Sequence, residues 1–345
     1  MKDIYIIGIS IIFIIFLFYL INNFLKDIEK FDNNNDNKNI IIYTPGPFTE
    51  QSGGINVLYY FAKILDESGK NVRIYYTDCD KNKSENPYLN KYYNNDFDIT
   101  EAIVIYPEII TNNPLNSKYV VRWIMAPLGL NCPKDIYKTW GENDLVYYFN
   151  FESRFDNNND YGTSFKLLPV IIVNPIFKNL NLDRNGKECY TFRKSNFHKE
   201  EIKKIHKEDA FEIDGGSHDY FLKTFNEYSY FYSYDPLTFI SIIAALCGCV
   251  SVVYPISNKS KSEWIKETWI YPYIKETNQE LYGVAYGIED IENSKKTISK
   301  VEQQLKDIIE FYKNKFYNNF LNDLNHIEDG SLPNTVKNIS SKYEI

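Results

Sequence analysis

Ile40-Ile-Ile-Tyr-Thr-Pro-Gly-Pro-Phe-Thr-Glu-Gln-Ser-Gly-Gly-Ile-Asn-Val-Leu-Tyr-Tyr-Phe-Ala-Lys-Ile-Leu-Asp66, followed by Val72–Tyr76, is the stretch on which the fold turns. Ile40–Tyr43 is a short continuous apolar run of β-branched residues, the kind buried on both faces of a parallel sheet. Thr44-Pro-Gly-Pro-Phe reads as a loop, and Gly53-Gly54 stands just before the next element. From Ile55 to Asp66 the apolar residues recur at helical spacing, and Ser68-Gly69 supplies a helix end. Val72–Tyr76 is the next strand, so the segment reads as a strand, a glycine loop, a helix and a strand. That order is a βαβ unit.

The same alternation continues outward. Ala102–Tyr106, Tyr119–Ile124, Leu145–Phe149 and Leu167–Val173 read as short buried strands. Polar Asn179–Lys187 marks a boundary, after which Glu188–Phe192, Ala210–Ile213, Tyr230–Ser233, Val250–Tyr254 and Val284–Tyr286 read as strands. Helices are expected over Glu200–Lys207, over His218–Glu227 and from Asp235-Pro236 to about Cys247. Beyond Glu292 a long helical pattern, with Val301, Leu305, Ile308, Ile309, Tyr312 and Phe316 on one face, runs to about Leu324, and the tail after Asp329 reads as frayed. The expected fold class is α/β, with two Rossmann-like domains whose parallel sheets face a cleft. The division reads as a first Rossmann-like domain over 40–182, a second over 183–292, a long helix over 293–325 and a tail over 326–345.

Ahead of this body, Ile4 to Leu25 carries no charged residue. Eighteen to twenty-two helical residues span roughly 27–33 Å, which matches a hydrocarbon core of about 30 Å. The run ends in Asn22-Asn23-Phe24-Leu25-Lys26, with no small-residue cleavage site. Residues 1–25 therefore read as an uncleaved transmembrane helix, and 26–39 as a polar Asn/Asp/Lys stalk. Lys26, Lys30 and Lys38 on the far flank, against Lys2 on the near one, lean towards a cytosolic body. Three sequons, at Asn82, Asn258 and Asn338, would matter only on the lumenal side, so the side stays open.

The formal charge of −8 argues against nucleic acid as a partner, because a phosphate backbone demands a basic face. Hydrophobic content of 44% with 24% charged residues is that of a globular body. The five cysteines show no metal-type or disulfide-type spacing, and Cys247-Gly-Cys249 reads as small buried residues at a tight helix-to-strand turn.

The segment Phe231-Tyr-Ser-Tyr-Asp-Pro-Leu-Thr-Phe-Ile-Ser-Ile-Ile-Ala-Ala-Leu-Cys-Gly-Cys-Val-Ser-Val-Val-Tyr-Pro255 carries the chemistry. It reads as a strand, a loop with Tyr234, Asp235 and Pro236, and a helix whose first amides, at Leu237, Thr238 and Phe239, form an anion site. This segment resembles the donor-binding motif of glycosyltransferases with the GT-B fold, in relatives that read roughly Tyr-Asp-Pro-x-Thr-Phe…Ala-Leu-Cys-Gly-Cys. Gly53-Gly54 resembles the same family's acceptor-domain glycine loop, and the likeness covers about residues 40–320.

The resemblance implies a membrane-anchored transferase moving sugar from a nucleotide-sugar donor to a glycan, lipid or protein acceptor. The donor is a substrate, and neither cofactor nor metal is implied. Asp235 would read sugar hydroxyls as the catalytic-site acid, and Thr238 would hold phosphate. Arg193 and Lys194 would face the diphosphate, and Gly53 and Gly54 would approach it. On the acceptor side Glu108, at a strand end, and His218, at a helix start after Gly215-Gly216-Ser217, are candidates. The chain departs from the pattern at Ile243, where many retaining relatives carry a second acidic residue that grips ribose; either something else, such as Glu263 or backbone, serves instead, or the donor site is degraded.

Plainer readings stand beside these. Asp235 is a good helix cap, Arg193-Lys194 could be a solvated pair, and Gly53-Gly54 could be a turn. Trp123 is a core residue or a ring that stacks on sugar. Two other function classes remain: a non-catalytic binding or scaffolding relative, and a nucleotide-sugar epimerase sharing the architecture. A Rossmann dehydrogenase is disfavoured, since no Gly-x-Gly-x-x-Gly follows any strand.

Overall fold

The computed structural model describes residues 38–79, 81–150, 166–192, 206–213, 215–236, 239–255, 259–329 and 332–343. The chain divides into Met1–Lys38 and a compact unit, Asn39–Ile345, which holds everything below. The expected transmembrane helix lies outside the described residues, and among those described no helix is long and apolar enough to cross a membrane.

The body is α/β, built on two separate five-stranded sheets, each wholly parallel. The first comprises β1 (Ile40–Tyr43), β2 (Val72–Tyr75), β3 (Ile103–Pro107), β4 (Tyr119–Ile124) and β5 (Leu145–Tyr148), in the order β2-β1-β3-β4-β5. The second comprises β6 (Glu188–Thr191), β7 (Phe211–Glu212), β8 (Tyr230–Ser233), β9 (Val250–Val253) and β10 (Val284–Tyr286), in the order β7-β6-β8-β9-β10 read from the opposite edge. Both sheets thus follow one plan, in which the third strand returns past the first.

The continuous apolar runs explain the strands. Ile40, Ile41 and Ile42 are all fully buried, as are Val104, Ile105 and Tyr106 on the neighbouring β3. Burial on both faces needs cover on both, and α1 (Gly53–Glu67) supplies one layer through Leu58, Tyr59, Phe61, Ala62 and Leu65. In the second half α2 (His218–Glu227) and α3 (Ile240–Leu246) cover one face, packing Phe221, Phe225 and Ala244 on Cys189 and Phe231. Gly248 has φ +79, and a Cβ there would lie 2.6 Å from Asn179 Nδ2 and 2.8 Å from Arg184 Nη2. Only glycine fits that turn, and buried Cys247 and Cys249 flank it as small core residues.

Two sequence expectations fail here. Leu167–Val173 is no strand: Leu167 alone bridges Tyr148, although Leu168, Val170 and Ile171 are buried. Pro169 removes a ladder donor in the middle of the run, so burial proceeds without pairing. The tail is not frayed either. Asn334–Val336 docks on the free edge of β5, with Val146 N–H donating to Asn334 O at 2.8 Å and Val336 N–H to Asp144 O at 3.0 Å. Helix α9 (Val336–Tyr343) then buries Val336 and Ile339 against Ile136, Trp140 and Val146. A covered edge removes the unpaired donors and acceptors that invite aggregation. Two apolar residues at helical spacing are too weak a local signal to announce this.

The long C-terminal pattern is helical but segmented. After α4 (Lys261–Glu267) and α5 (Tyr271–Thr277) come α6 (Ile291–Thr297), a 3₁₀ turn, α7 (Val301–Tyr312), a π-helical turn over Lys313–Tyr317, and α8 (Asn318–Asn325). The π turn resets the helical phase, so Tyr317 and Phe320 are buried where Ile309 and Phe316 are only half-buried. Helix α7 serves the second half, where the Tyr312 hydroxyl donates to Trp269 O. Helix α8 serves the first: Asp323 accepts from the Tyr147 hydroxyl and pairs with Lys166 at 2.7 Å. One apolar cluster consequently runs from Phe61, Trp123 and Tyr147 through Tyr312, Tyr317 and Phe320 to Trp264, Trp269 and Val284. The sheets stay separate while their cores join along this helix.

Arg122 is fully buried on β4 beneath Tyr106 and Trp140, with Nε 2.7 Å from Asp144 Oδ2 and Nη1 donating to Ile110 O at 3.1 Å. Asp144→Ala would leave that guanidinium without its counter-charge, so it should cost about 3–5 kcal/mol in chemical denaturation. A loss below about 1 kcal/mol would mean that the pair contributes little.

Candidate functional site

In a sheet of this plan the connections leave the first and third strands in opposite directions, opening a crevice at their carboxyl ends where ligands bind. The first sheet has that point between β1 and β3, and the second between β6 and β8. Several of the residues singled out by sequence lie on the loops there or just beyond them. Gly53 and Gly54 follow the β1 loop, Glu108 follows β3, and Tyr234, Asp235 and Pro236 follow β8. Arg193, Lys194, Leu237 and Thr238 lie outside the described residues.

Gly53 and Gly54 are not a loop but the first turn of α1, which starts two residues earlier than the apolar pattern suggests. Ser52 caps it, accepting from Ile55 N–H at 3.4 Å. Both glycines are exposed, and among the described residues no atom beyond the flanking residues and the helix's own backbone lies within 4 Å of a Cβ built on either. A fifteen-residue helix presenting unshielded amides there favours an anion.

The β8 loop is tied down by three elements. Tyr234 N–H donates to Thr191 O on β6 at 3.1 Å, Ser233 Oγ to Asp235 O at 2.7 Å, and Trp264 Nε1 on α4 to Pro236 O at 2.7 Å. The Tyr234 ring is buried, while Asp235, Pro236 and Phe239 are half-buried. Helix α3 begins at Ile240, with Phe239 as an N-cap that makes no side-chain bond. Phe239 instead packs on Trp269, centroids 5.5 Å apart. Ile243 is packed among the apolar residues of α2 and α3, and the Glu263 carboxylate takes part in the capping box of α4 with Ser260.

His218 opens α2 but is not its cap; Ser217 is, accepting from Tyr220 N–H at 3.3 Å. The backbone N–H of His218 donates to Glu50 Oε2 at 3.3 Å, so the loop after β1 meets the helix after β7. Asn174 Oδ1 accepts from Ile176 N–H at 3.1 Å, which turns its Nδ2 onto His218 Nδ1 at 2.9 Å. Nδ1 is then an acceptor, and the neutral ring carries its proton on Nε2. The same Nδ1 lies 3.6 Å from Glu50 Oε1, so Asn174 and Glu50 together fix the orientation of the ring.

Glu108 is buried at 4% exposure, accepting from Met125 N–H at 3.1 Å. Burial raises its pKa above the ordinary carboxylate value, and bonds from Met125, its own amide and Asn131 only partly oppose that. Trp123 is core and not a sugar platform: it is fully buried, packed on Phe61 at 4.9 Å, with Nε1 donating to Leu168 O.

Sequence reading missed Glu50, Asn174, His206 and Trp264. A signal existed for the histidine, since the chain has only four. No protein-family model matches the chain, and no curated protein matches it either.

A carboxyl whose folded pKa is raised binds its proton more tightly when folded. Its stabilising share is present at low pH and lost as pH climbs from the ordinary carboxylate value through the raised one. Glu108→Gln keeps the acceptor and removes the buried charge. It should therefore raise the melting temperature at pH 7–8 and leave it unchanged near pH 4, as thermal melts at both pH values would record. A loss of stability at pH 7–8 would contradict the assignment.

Proposed function

We propose that this chain is a GT-B-type glycosyltransferase that moves a sugar from a nucleotide-sugar donor to a glycan, lipid or protein acceptor. The observation that carries the reading is the doubled plan. Two parallel sheets share one strand order, and at the point of reversal of each lies a loop that the sequence motifs single out. Contact between Glu50 and His218 brings loops of the two halves together. On this reading the acceptor and the donor bind in the gap between the halves.

In such a transfer an acceptor hydroxyl attacks the anomeric carbon, the sugar–phosphate bond breaks, and a nucleoside diphosphate leaves with its bonding electrons. The developing charge is the main obstacle, and pre-oriented donors are the means to meet it. The amides of Gly53 and Gly54, His218 Nε2–H, Thr238 and the cations Arg193 and Lys194 are suited to that task. Asp235 would accept from sugar hydroxyls. Glu108, with its raised pKa, is the carboxyl suited to accept the acceptor's proton. No metal is required. The apolar run Ile4–Leu25 would hold the body at a membrane as a single-pass anchor, with the flanking lysines favouring the cytosolic side.

A second reading, a binding or scaffolding protein of the same architecture, is favoured by Ile243 and by the use of Glu263 in a helix cap. Turnover of a nucleotide-sugar panel separates the two.

Calorimetry on the full chain should show nucleoside diphosphate binding that weakens about tenfold or more in Lys194→Ala, and nucleotide-sugar binding that weakens as much in Asp235→Ala, the scale of a lost charge-assisted bond. Absence of binding at millimolar concentration would end the proposal.

A further inference from the structure

His206 is buried in the second half, its side chain only 3% exposed. The ring lies flat on Tyr190, with centroids 4.5 Å apart and planes 5° from parallel, and meets Tyr232 and Tyr234 edge-on. Nδ1 stands 3.2 Å from Glu188 Oε2, and Nε2 stands 2.8 Å from the Tyr234 hydroxyl. An ionised carboxylate can only accept, so Nδ1 carries the proton of the neutral ring and Nε2 accepts from Tyr234 O–H. Burial holds the Tyr234 phenol well above its ordinary pKa, with Tyr254 beside it adding to the effect, so it stays a donor.

A carboxylate, an imidazole and a hydroxyl in series can activate a nucleophile, but not here. Tyr234 is 1% exposed and stacked on Tyr254 at 4.9 Å, so nothing can reach its oxygen. What the chain of bonds can do is hold. Tyr234 is the first residue beyond β8, and Asp235 follows it directly. Its backbone is fixed by Thr191 and its side chain by His206, which Glu188 in turn orients.

We propose that His206 is a positioning residue for the loop after β8: braced by Glu188, it grips Tyr234 and so sets the direction in which Asp235 leaves the sheet. The binding consequence rests on the nucleotide-sugar reading; the effect on the loop does not.

Three variants of the full chain separate the roles. His206→Phe keeps the stack on Tyr190 and loses both hydrogen bonds. His206→Gln loses the stack and keeps a polar atom within reach of Tyr234. Tyr234→Phe removes the hydroxyl alone. Hydrogen exchange of the peptide covering Tyr234–Phe239, and calorimetry with uridine and guanosine diphosphates, are read on each. His206→Phe and Tyr234→Phe should each speed exchange, and weaken diphosphate binding, by about tenfold, the scale of one hydrogen bond. His206→Gln should stay within about threefold of wild type. The double variant His206→Phe/Tyr234→Phe should lose no more than either single one, because both break the same contact. Wild-type exchange in His206→Phe, or equal losses in His206→Phe and His206→Gln, would overturn the proposal. If the wild type binds neither diphosphate while His206→Phe still frees the loop, positioning stands and the donor reading falls.

Discussion

A parallel strand buried on both faces cannot turn straight back; it must send its chain over the sheet and return at the same end. Every loop leaving a carboxyl end is therefore gathered along one edge, and where the order of connection reverses two loops part and leave room. This constraint, imposed by runs such as Ile40–Ile42 and Ile103–Tyr106, does more to set the site than any single polar residue. It gathers the Thr44–Ser52 loop and Glu108 at the carboxyl end of the first sheet, and sets the Tyr234–Pro236 turn at that of the second.

The second organising feature is the C-terminal run. Helix α7 packs with the second half and α8 with the first, and the π turn between them shifts the buried face by enough to serve both. Asp323, held by Tyr147 and Lys166, fixes the return, and Asn334–Val336 then closes the exposed edge of β5. Residues that follow the second sheet in sequence thus belong energetically to the first. The joined apolar cluster is a consequence of this return rather than a fusion of the two sheets.

Much of the architecture was legible because its signals are local. All ten strands among the described residues coincide within a residue at each end with short β-branched or aromatic runs. The failures are where tertiary context decides. Pro169 lets an apolar run be buried without pairing, the π turn cannot be seen in a periodicity, and the tail gains its order only from the edge of β5. The site divides similarly. Tyr234-Asp235-Pro236 and Gly53-Gly54 stand out as dipeptide-scale signals. Glu50 with His218, and Glu188 with His206 and Tyr234, are pairings across long separations that no spacing rule joins. His218 is a further case, since the partner of its Nδ1, Asn174, lies far away in sequence.

The central claim is that a diphosphate lies between the two points of reversal, facing the tip of α1 on one side and the loop after β8 on the other. A crystal structure of the full chain grown with a nucleoside diphosphate tests it most directly. The account predicts phosphate density at about hydrogen-bonding distance from the amides of Gly53 and Gly54 and next to Asp235 and Pro236. Density bound elsewhere, with that space filled by the protein's own side chains, would contradict it.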